Sequence, residues 1–180
     1  MKAIVFLAEG FEEVEAIAPI DIFRRAGIEV YSVSITNQKN VASARGITVI
    51  ADKLFAETDF SDADLLFLPG GMPGTKNLDE HEGLKQLIGK QLEFGKRVAA
   101  ICAAPSILGK MGLLEGKEAT CYPGFEDQLQ GAILSDSKIV KSGLITTAKG
   151  AGVAVQFALS IVGDLNGEDE ALRIANAICL

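Results

Sequence analysis

The residue with the clearest chemical potential is Cys102, which follows a short apolar run at 97–101 and precedes Pro105. The run is too brief for a helix and indicates a buried strand, whereas a proline at a first-turn position is typical of a helix start. Cys102 is therefore predicted at a strand-to-helix turn, with Ala100 and Ala104 two positions away on either side. Small neighbours at this spacing permit the sharp, strained turn that presents a nucleophile above the edge of a sheet.

The predicted helix start also bears on the state of the thiol. Backbone N–H groups at a helix N-terminus favour negative charge, and so they favour a thiolate at Cys102. The alternative is an unreactive cysteine, because free cysteines often pack as small hydrophobic residues. The turn and the helix start together favour the reactive interpretation. Cys121 and Cys179 lack this context and are interpreted as packing residues, although Cys121 could act as a resolving thiol.

Glu15 is the candidate partner of that cysteine. It shares one face of a predicted helix with four apolar residues, Ala18, Pro19, Ile22 and Ala26. Pro19 is expected to kink the helix at Glu15, because a mid-helix proline clashes with the carbonyl four residues earlier. A carboxyl buried beside a thiolate would have a raised pKa and could donate a hydrogen bond to the sulfur. Alternatively, Glu15 only complements the positive N-terminal end of the helix. That role is a sufficient explanation for the preceding acidic residues, Glu12 and Glu13.

A pair of glycines ends another buried strand, where Pro69-Gly70-Gly71 follows residues 64–68. Glycine permits positive φ and a close approach of the backbone, so these N–H groups could line an anion site beside Cys102. An ordinary turn is the alternative.

Strands and helices alternate along most of the chain. Strands are predicted at 2–8, 28–35, 64–68 and 97–101, in a hairpin formed by Val41 and 46–50, and in short segments at 118–121, 132–134, 138–141 and 144–148. Helices are predicted at 12–26, 80–94, 103–111, 151–165 and 168–178. This alternation indicates βαβ crossovers and a mostly parallel sheet. The turns at Glu9-Gly10, 69–71, Cys102 and Lys149-Gly150 all follow strands, so we expect them at one edge of the sheet.

Composition narrows the class of protein. With 180 residues, 48% of them hydrophobic, the chain is long enough for one domain with a full core over residues 1–180. A net charge of −7 argues against nucleic-acid binding, which requires a cationic surface. The sequence has no apolar run of membrane-spanning length and no signal-peptide pattern, so we expect no membrane association. Three widely spaced cysteines fit the reducing cytoplasm better than a disulfide framework.

Several familiar sites are not predicted. The chain has no P-loop motif, and Gly150-Ala151-Gly152 lacks the third glycine of a dinucleotide fingerprint. Its single histidine, His81, falls at a predicted helix start and is interpreted as a surface residue. One histidine and scattered cysteines make a metal site improbable, so we expect neither a metal nor another cofactor.

Five segments together resemble one known family. They are 8–15 (AEGFEEVE), 24–27 (RRAG), 68–71 (LPGG), 100–105 (AICAAP) and 120–124 (TCYPG). In one register along the whole chain, they resemble the ThiJ/PfpI superfamily, of the class I glutamine amidotransferase-like type, and in particular its parkinsonism-associated deglycase branch with its bacterial homologues. The resemblance implies an α/β flavodoxin-like three-layer sandwich, with a mostly parallel sheet and helices on both faces. It also implies a homodimer.

The resemblance implies roles for individual residues. Cys102 becomes the reactive cysteine and Glu15 its protonated carboxyl partner. The backbone N–H groups of Gly71 and Ala103, beside Gly70, become an oxyanion pocket. Two arginines, Arg25 and Arg45, match positions that the family places near an anion pocket on the dimer side; surface charge or interface pairing is the alternative for both.

Two departures from the family pattern limit the chemistry. Protease-like members carry histidine directly after the cysteine, whereas this chain has Ala103, so peptidase activity is not expected. Many members have histidine where this chain has Tyr122. A phenol with an ordinary pKa near 10 is a poor base at neutral pH, so proton transfer would rest on Glu15.

Two functions share this one predicted site. The first is a cofactor-independent glyoxalase or deglycase acting on 2-oxoaldehydes such as methylglyoxal, or on glycated thiols and amines, with Cys102 as nucleophile and Glu15 as proton shuttle. The second is an oxidative-stress sensor or chaperone that works through oxidation of Cys102 without significant catalysis. No residue supports a third possibility, thiamine-precursor metabolism.

Overall fold

The computed structural model describes residues 1–180 and is organised around one seven-stranded sheet. The strands are β1 (Lys2–Leu7), β2 (Glu29–Ser34), β3 (Asn40–Ala42), β4 (Thr48–Ile50), β5 (Lys53–Leu54), β6 (Leu65–Leu68), β7 (Arg97–Ile101), β8 (Glu118–Ala119), β9 (Ile133–Leu134), β10 (Ile139–Ser142) and β11 (Ile145–Ala148). The helices are α1 (Glu13–Arg25), α2 (Gly74–Asp79), α3 (Glu82–Glu93), α4 (Pro105–Lys110), α5 (Ala154–Asn166) and α6 (Glu168–Ala177). Short 3₁₀ turns occur at Phe55–Glu57, Glu126–Gln128 and Ala151–Val153.

The large sheet has the order β10-β11-β7-β6-β1-β2-β5. All neighbouring strands in it are parallel except β10, which pairs antiparallel with β11. The prediction of a mostly parallel sheet is therefore confirmed. Strand β1 pairs with β2 on one side and with β6 on the other, so the direction of winding reverses between β1 and β6. Ligands of doubly wound sheets bind beyond the carboxyl ends of the strands at such a reversal.

Helices cover both faces of the sheet because successive strand side chains point to opposite sides. Val5 and Phe67 belong to a core of 26 buried residues that includes side chains of α1, α5 and α6. Ile4 and Leu66 belong to a second core of 20 residues that includes side chains of α2, α3 and α4. This is the expected flavodoxin-like three-layer sandwich. None of the helices combines the length and the apolar character needed to cross a membrane.

The turns that follow the parallel strands meet at one edge of the sheet, as predicted. The N–H of Glu12 donates to the carbonyl of Gly70 at 2.9 Å, which joins the turn after β1 to the turn after β6. The N–H of Cys102 donates to the carbonyl of Ala148 at 2.9 Å, which joins the turns after β7 and β11. A site assembled from these turns therefore lies where the strand order reverses.

Some local features differ from the sequence-based expectations. Helix α2 and strand β5 were not predicted, because each is too short to show a hydrophobic period. His81 does lie at the start of α3, but it is half-buried, with Nδ1 accepting the N–H of Leu84 at 3.0 Å and its ring against Phe55. Cys179 is exposed near the end of the chain, so the interpretation of this residue as a packing residue is wrong.

Candidate active site

Cys102 occupies a strained turn between β7 and α4. Its φ of 65° lies in the left-handed region, which only two non-glycine residues of the chain adopt. Its N–H donates to Ala148, and its carbonyl accepts the N–H of Tyr122 at 2.8 Å. The side chain remains partly exposed. Both backbone polar groups are thus satisfied, and the thiol is the part of the residue that remains partly exposed.

The carboxyl group of Glu15 is held in a fixed position against this thiol. The residue is only 1% exposed, although it belongs to the first turns of α1. Its Oε2 accepts the N–H of Gly70 at 2.8 Å. The thiol of Cys102 and the backbone amide of Ala151 lie close enough to lower the pKa of this carboxyl. Three chain segments besides α1 therefore surround it.

Helix α1 itself begins with a side-chain cap. Glu12 is the N-cap, and its Oε2 accepts the N–H of Glu15 at 2.7 Å. The cap fixes the first turn and so the direction in which Glu15 leaves the helix. The helix continues through Pro19 without a break.

Burial and mutual repulsion set the ionisation of the pair. The pKa of Glu15 is raised to about 7, chiefly by burial and to a lesser extent by the charge of Glu12, against the opposing effect of the Cys102 thiol and the amides of Gly70 and Ala151. The pKa of Cys102 is raised to about 12, chiefly by burial and then by the neighbouring Glu15. Loss of one proton near neutral pH therefore leaves a single negative charge in the pair, and loss of the second is strongly opposed.

The predicted effect of the helix start on the thiol is present but small. The backbone amides of Ala103 and Gly71 lower the pKa of Cys102. Their effect is outweighed by burial and by Glu15, and α4 has only six residues. A thiolate in this site therefore requires that Glu15 hold the proton.

Gly70 lies between the side chains of Cys102 and Glu15 and has no room for a side chain of its own. A Cβ at this position would lie 2.6 Å from Cβ of Cys102 and 2.7 Å from Oε2 of Glu15. Its N–H was expected beside the oxyanion pocket, but the structure commits it to Glu15. Gly71, with a φ of 91°, and Ala103 are the residues whose N–H groups point to the sulfur.

The remaining predicted residues lie farther from the pair. The backbone N–H of Tyr122 donates to the carbonyl of Cys102, and the half-exposed side chain of Tyr122 lies over Gly150. Arg25 lies at the far end of α1, where its Nε donates to Asp21 at 2.7 Å. Arg45 is exposed in the β3–β4 turn and forms no ion pair within its own chain. Within one chain, neither arginine joins Cys102 and Glu15.

Sequence reasoning missed the amide of Ala151 as a partner of Glu15. The signal that could have identified it was the turn at Lys149-Gly150, which was already placed at the correct edge of the sheet. The described residues contain no group of three or more His, Cys, Asp or Glu side chains arranged to hold a metal ion.

Comparison with known proteins gives a consistent set of relatives. Residues 1–164 match the profile of the DJ-1/PfpI family. The chain is 37% identical to protein DJ-1 homolog B of Arabidopsis thaliana over 181 residues, covering 99% of this chain but only 41% of that protein. It is 31% identical to the glutathione-independent glyoxalase DJR-1.2 of Caenorhabditis elegans over 175 residues, covering 96% of this chain and 92% of that protein.

A solved structure agrees over nearly the whole chain. Oxidized DJ-1 of Toxoplasma gondii superimposes with a TM-score of 0.95 at 35% identity, covering 99% of this chain and 97% of the other.

Proposed function

The chain belongs to the DJ-1/PfpI family, and from this premise we propose that it is a cofactor-independent glyoxalase acting on 2-oxoaldehydes such as methylglyoxal. The observation that carries the proposal is the contact between a buried carboxyl with a pKa of about 7 and the thiol on the strained turn. Such a carboxyl can both give and take a proton at neutral pH. The glyoxalase name of the Caenorhabditis elegans relative supports the same chemistry.

In the first step, the sulfur of Cys102 attacks the aldehyde carbon while Glu15 holds the proton of the pair. A C–S bond forms, the C=O π bond opens, and the new oxyanion takes the proton from Glu15 to give a hemithioacetal. The N–H groups of Gly71 and Ala103 stabilise the developing oxyanion, which is the general role of preorganised backbone donors in such sites.

In the second step, Glu15 is a carboxylate and removes the hydrogen from the former aldehyde carbon. It returns a proton to the neighbouring carbon, and the hydroxyl proton passes from the first oxygen to the second. The product is a thioester isomeric with the hemithioacetal. One carboxyl group serves both directions because its pKa lies near the working pH.

In the third step, water hydrolyses the thioester. Glu15 accepts a proton from water, the hydroxide adds to the thioester carbon, and the C–S bond breaks to restore the thiolate. The 2-hydroxy acid releases its proton to solvent, so methylglyoxal and water give lactate and a proton. Consumption of free aldehyde would also reverse the early adducts that aldehydes form with thiols and amines, which accounts for a deglycase-like outcome.

The direct test measures methylglyoxal consumption and lactate formation without glutathione. We expect turnover in the wild type, none in Cys102→Ala, and at least ~100-fold less in Glu15→Gln, which is the lower end of the range for a lost acid–base group. Two matched variants control for lost thiols and carboxyls: Cys179→Ala removes an exposed cysteine, and Glu82→Gln changes an exposed first-turn glutamate. Equal turnover in Cys102→Ala and the wild type would refute the proposal.

The second candidate function is a redox sensor or chaperone that uses the same cysteine. It is supported by the similarity to the oxidized Toxoplasma gondii protein and by the amides of Gly71 and Ala103, which could hold the oxygens of an oxidised sulfur. After peroxide treatment, intact-mass measurement should show selective oxidation of Cys102. For a chaperone, the oxidised protein should also protect a client protein from aggregation better than the reduced protein does. Absence of methylglyoxal turnover together with that gain would favour this function over the first.

We also propose that the chain forms a homodimer and acts in the cytoplasm. Exposed apolar residues support the dimer: Val14 and Ile17 on α1 are 47% and 41% exposed, and Ile47 and Ile50 of the β3–β4 hairpin are 54% and 72% exposed. Patches of this kind often mark interfaces. Sedimentation of the wild type as a dimer and of Ile50→Glu as a monomer would support it. Three free cysteines suit a reducing compartment.

A further inference from the structure

An open cleft lies over the backbone segment at Gly150 and Ala151, which approaches the carboxyl of Glu15. Its volume is about 420 Å³, within the range of small-molecule sites, and its lining residues include Tyr122, Lys138, Lys149, Gly150 and Ala151. Two residues that line the cleft, Gly150 and Ala151, also approach the carboxyl of Glu15. A Cβ on Gly150 would lie 3.8 Å from Oε1 of Glu15 and 3.4 Å from the ring of Tyr122, and the amide of Ala151 lowers the pKa of the same carboxyl.

The charge of this cleft is opposite to that of the protein. The chain carries a net charge of −7, yet the eight lining residues include two lysines and no acidic residue. Neither Lys138 nor Lys149 takes part in any of the nine ion pairs. Lysine ammonium groups left without a carboxylate partner remain available to an anionic ligand.

The two lysines are positioned together by the sheet. Strands β10 and β11 pair Ile139 with Ala148, and the N–H of Lys149 donates to the carbonyl of Lys138 at 3.0 Å just beyond that pair. Residues directly opposite in an antiparallel pair project from the same face, so both side chains extend towards the same cleft. Lys138 is exposed and Lys149 is half-buried.

Acidic side chains nearby do not cancel this charge. Glu126 and Asp136 line a neighbouring cavity of about 260 Å³ on the other side of Lys149, and neither comes within ion-pair distance of it. Lys138 does not line that cavity. Lys138 therefore lines the cleft but not the acidic cavity, whereas Lys149 lines both.

We propose that this cleft is an anion subsite, and that the preferred substrates are 2-oxoaldehydes carrying a carboxylate or phosphate a few bonds from the reactive carbonyl. The inference rests on the proposed glyoxalase function. The aldehyde carbon bonds to Cys102 as described above, while the anionic end of the substrate lies between Lys138 and Lys149. The anion takes no part in the bond changes; it orients the substrate across the backbone segment at Gly150 and Ala151.

The experiment compares two substrates of the same shape, 4,5-dioxopentanoate and its neutral amide, in the wild type. The expected product of the anion is 2-hydroxyglutarate, by the same isomerisation and hydrolysis. We expect kcat/KM to be about tenfold higher for the anion, roughly threefold for each lysine, as is typical of partly screened charge pairs. Added NaCl should reduce this ratio, because surface charges are screened by salt.

The variant Lys138→Gln/Lys149→Gln should bring the anion-to-amide ratio close to one. Lys90→Gln, on the distant helix α3, changes charge without touching the cleft and should keep the wild-type ratio. Methylglyoxal turnover with an anion-to-amide ratio near one in the wild type would overturn the subsite while leaving the proposed function intact. A preference for the anion that survives in the double variant would also overturn it. No turnover of any 2-oxoaldehyde would overturn both.

Discussion

The raised pKa of Glu15 makes the stability of the protein depend on pH in a defined direction. Burial holds this pKa at about 7 in the folded chain, against an ordinary value of 4.5. Between these two pH values the folded state binds more protons than the unfolded state, so the free energy of unfolding falls as pH rises. The stabilisation is fully present below pH 4.5 and is lost once the pH has passed through about 7.

The size of the effect follows from the interval between the two values. One pKa unit corresponds to about 1.4 kcal/mol, so the wild type should lose on the order of 3 kcal/mol from this group across the interval. Glu15→Gln keeps the shape of the side chain and an oxygen for the N–H of Gly70, but it cannot ionise. Its stability should therefore lack this component, while titrating groups that are not coupled to Glu15 contribute equally to both proteins.

Urea unfolding followed by circular dichroism, from pH 4.5 to 8 in half-unit steps, measures the effect. The unfolding free energy of the wild type minus that of Glu15→Gln should fall by about 3 kcal/mol from the low to the high end of this range, because only the wild type loses stability as Glu15 ionises. Glu82→Gln serves as the control, because its carboxyl is exposed, and it should follow the wild type at a constant offset. Parallel curves for the wild type and Glu15→Gln would refute the assignment of a raised pKa to this carboxyl.

Three further outcomes are expected. Gly70→Ala should lower the free energy of unfolding by about 1–3 kcal/mol, because its Cβ would be overpacked against Cys102 and Glu15. As a control, Gly89→Ala in α3 places its Cβ in open space and should be neutral or stabilising. Equal effects of the two substitutions in urea unfolding would contradict this prediction. Glu15→Gln should lower the pKa of the Cys102 thiol from about 12, because a negative charge is removed, and the pH dependence of iodoacetamide labelling measures it; an unchanged profile would argue against coupling. Glu12→Gln should lower the pKa of Glu15 and shift its stability transition to lower pH, and an unshifted transition would count against the contribution of Glu12.

Local patterns were sufficient to predict much of the fold and the position of the site. The apolar run before Cys102 and Pro105 after it are both short-range signals, and they place the cysteine at the turn where the structure has it. The apolar face around Glu15 likewise follows from helical spacing alone. The turns meet at one edge because the carboxyl ends of parallel strands all lie at the same edge of a sheet.

The features that escaped prediction depend on contacts between distant segments. The N–H of Ala151 reaches Glu15 across 136 positions of sequence, and no local pattern specifies that contact. Gly70 was recognised as a permissive glycine, but its exclusion of a side chain depends on how closely Cys102 and Glu15 approach in space. The sequence predicts that the N-terminus of α4 favours a thiolate at Cys102. In the structure, burial has the largest effect on the pKa of this thiol, and burial cannot be read from local sequence.

The φ of 65° at Cys102 implies a conflict between stability and activity at this one position. A left-handed conformation costs a side-chain-bearing residue on the order of 1 kcal/mol, and glycine escapes most of that cost. Cys102→Gly should therefore unfold at a higher urea concentration than Cys102→Ala, although both lack the thiol. If the thiol were not needed for function, a Cys102→Gly substitution could be selected because it increases stability. Conservation of cysteine at this position in spite of that cost would therefore indicate that the sulfur is required.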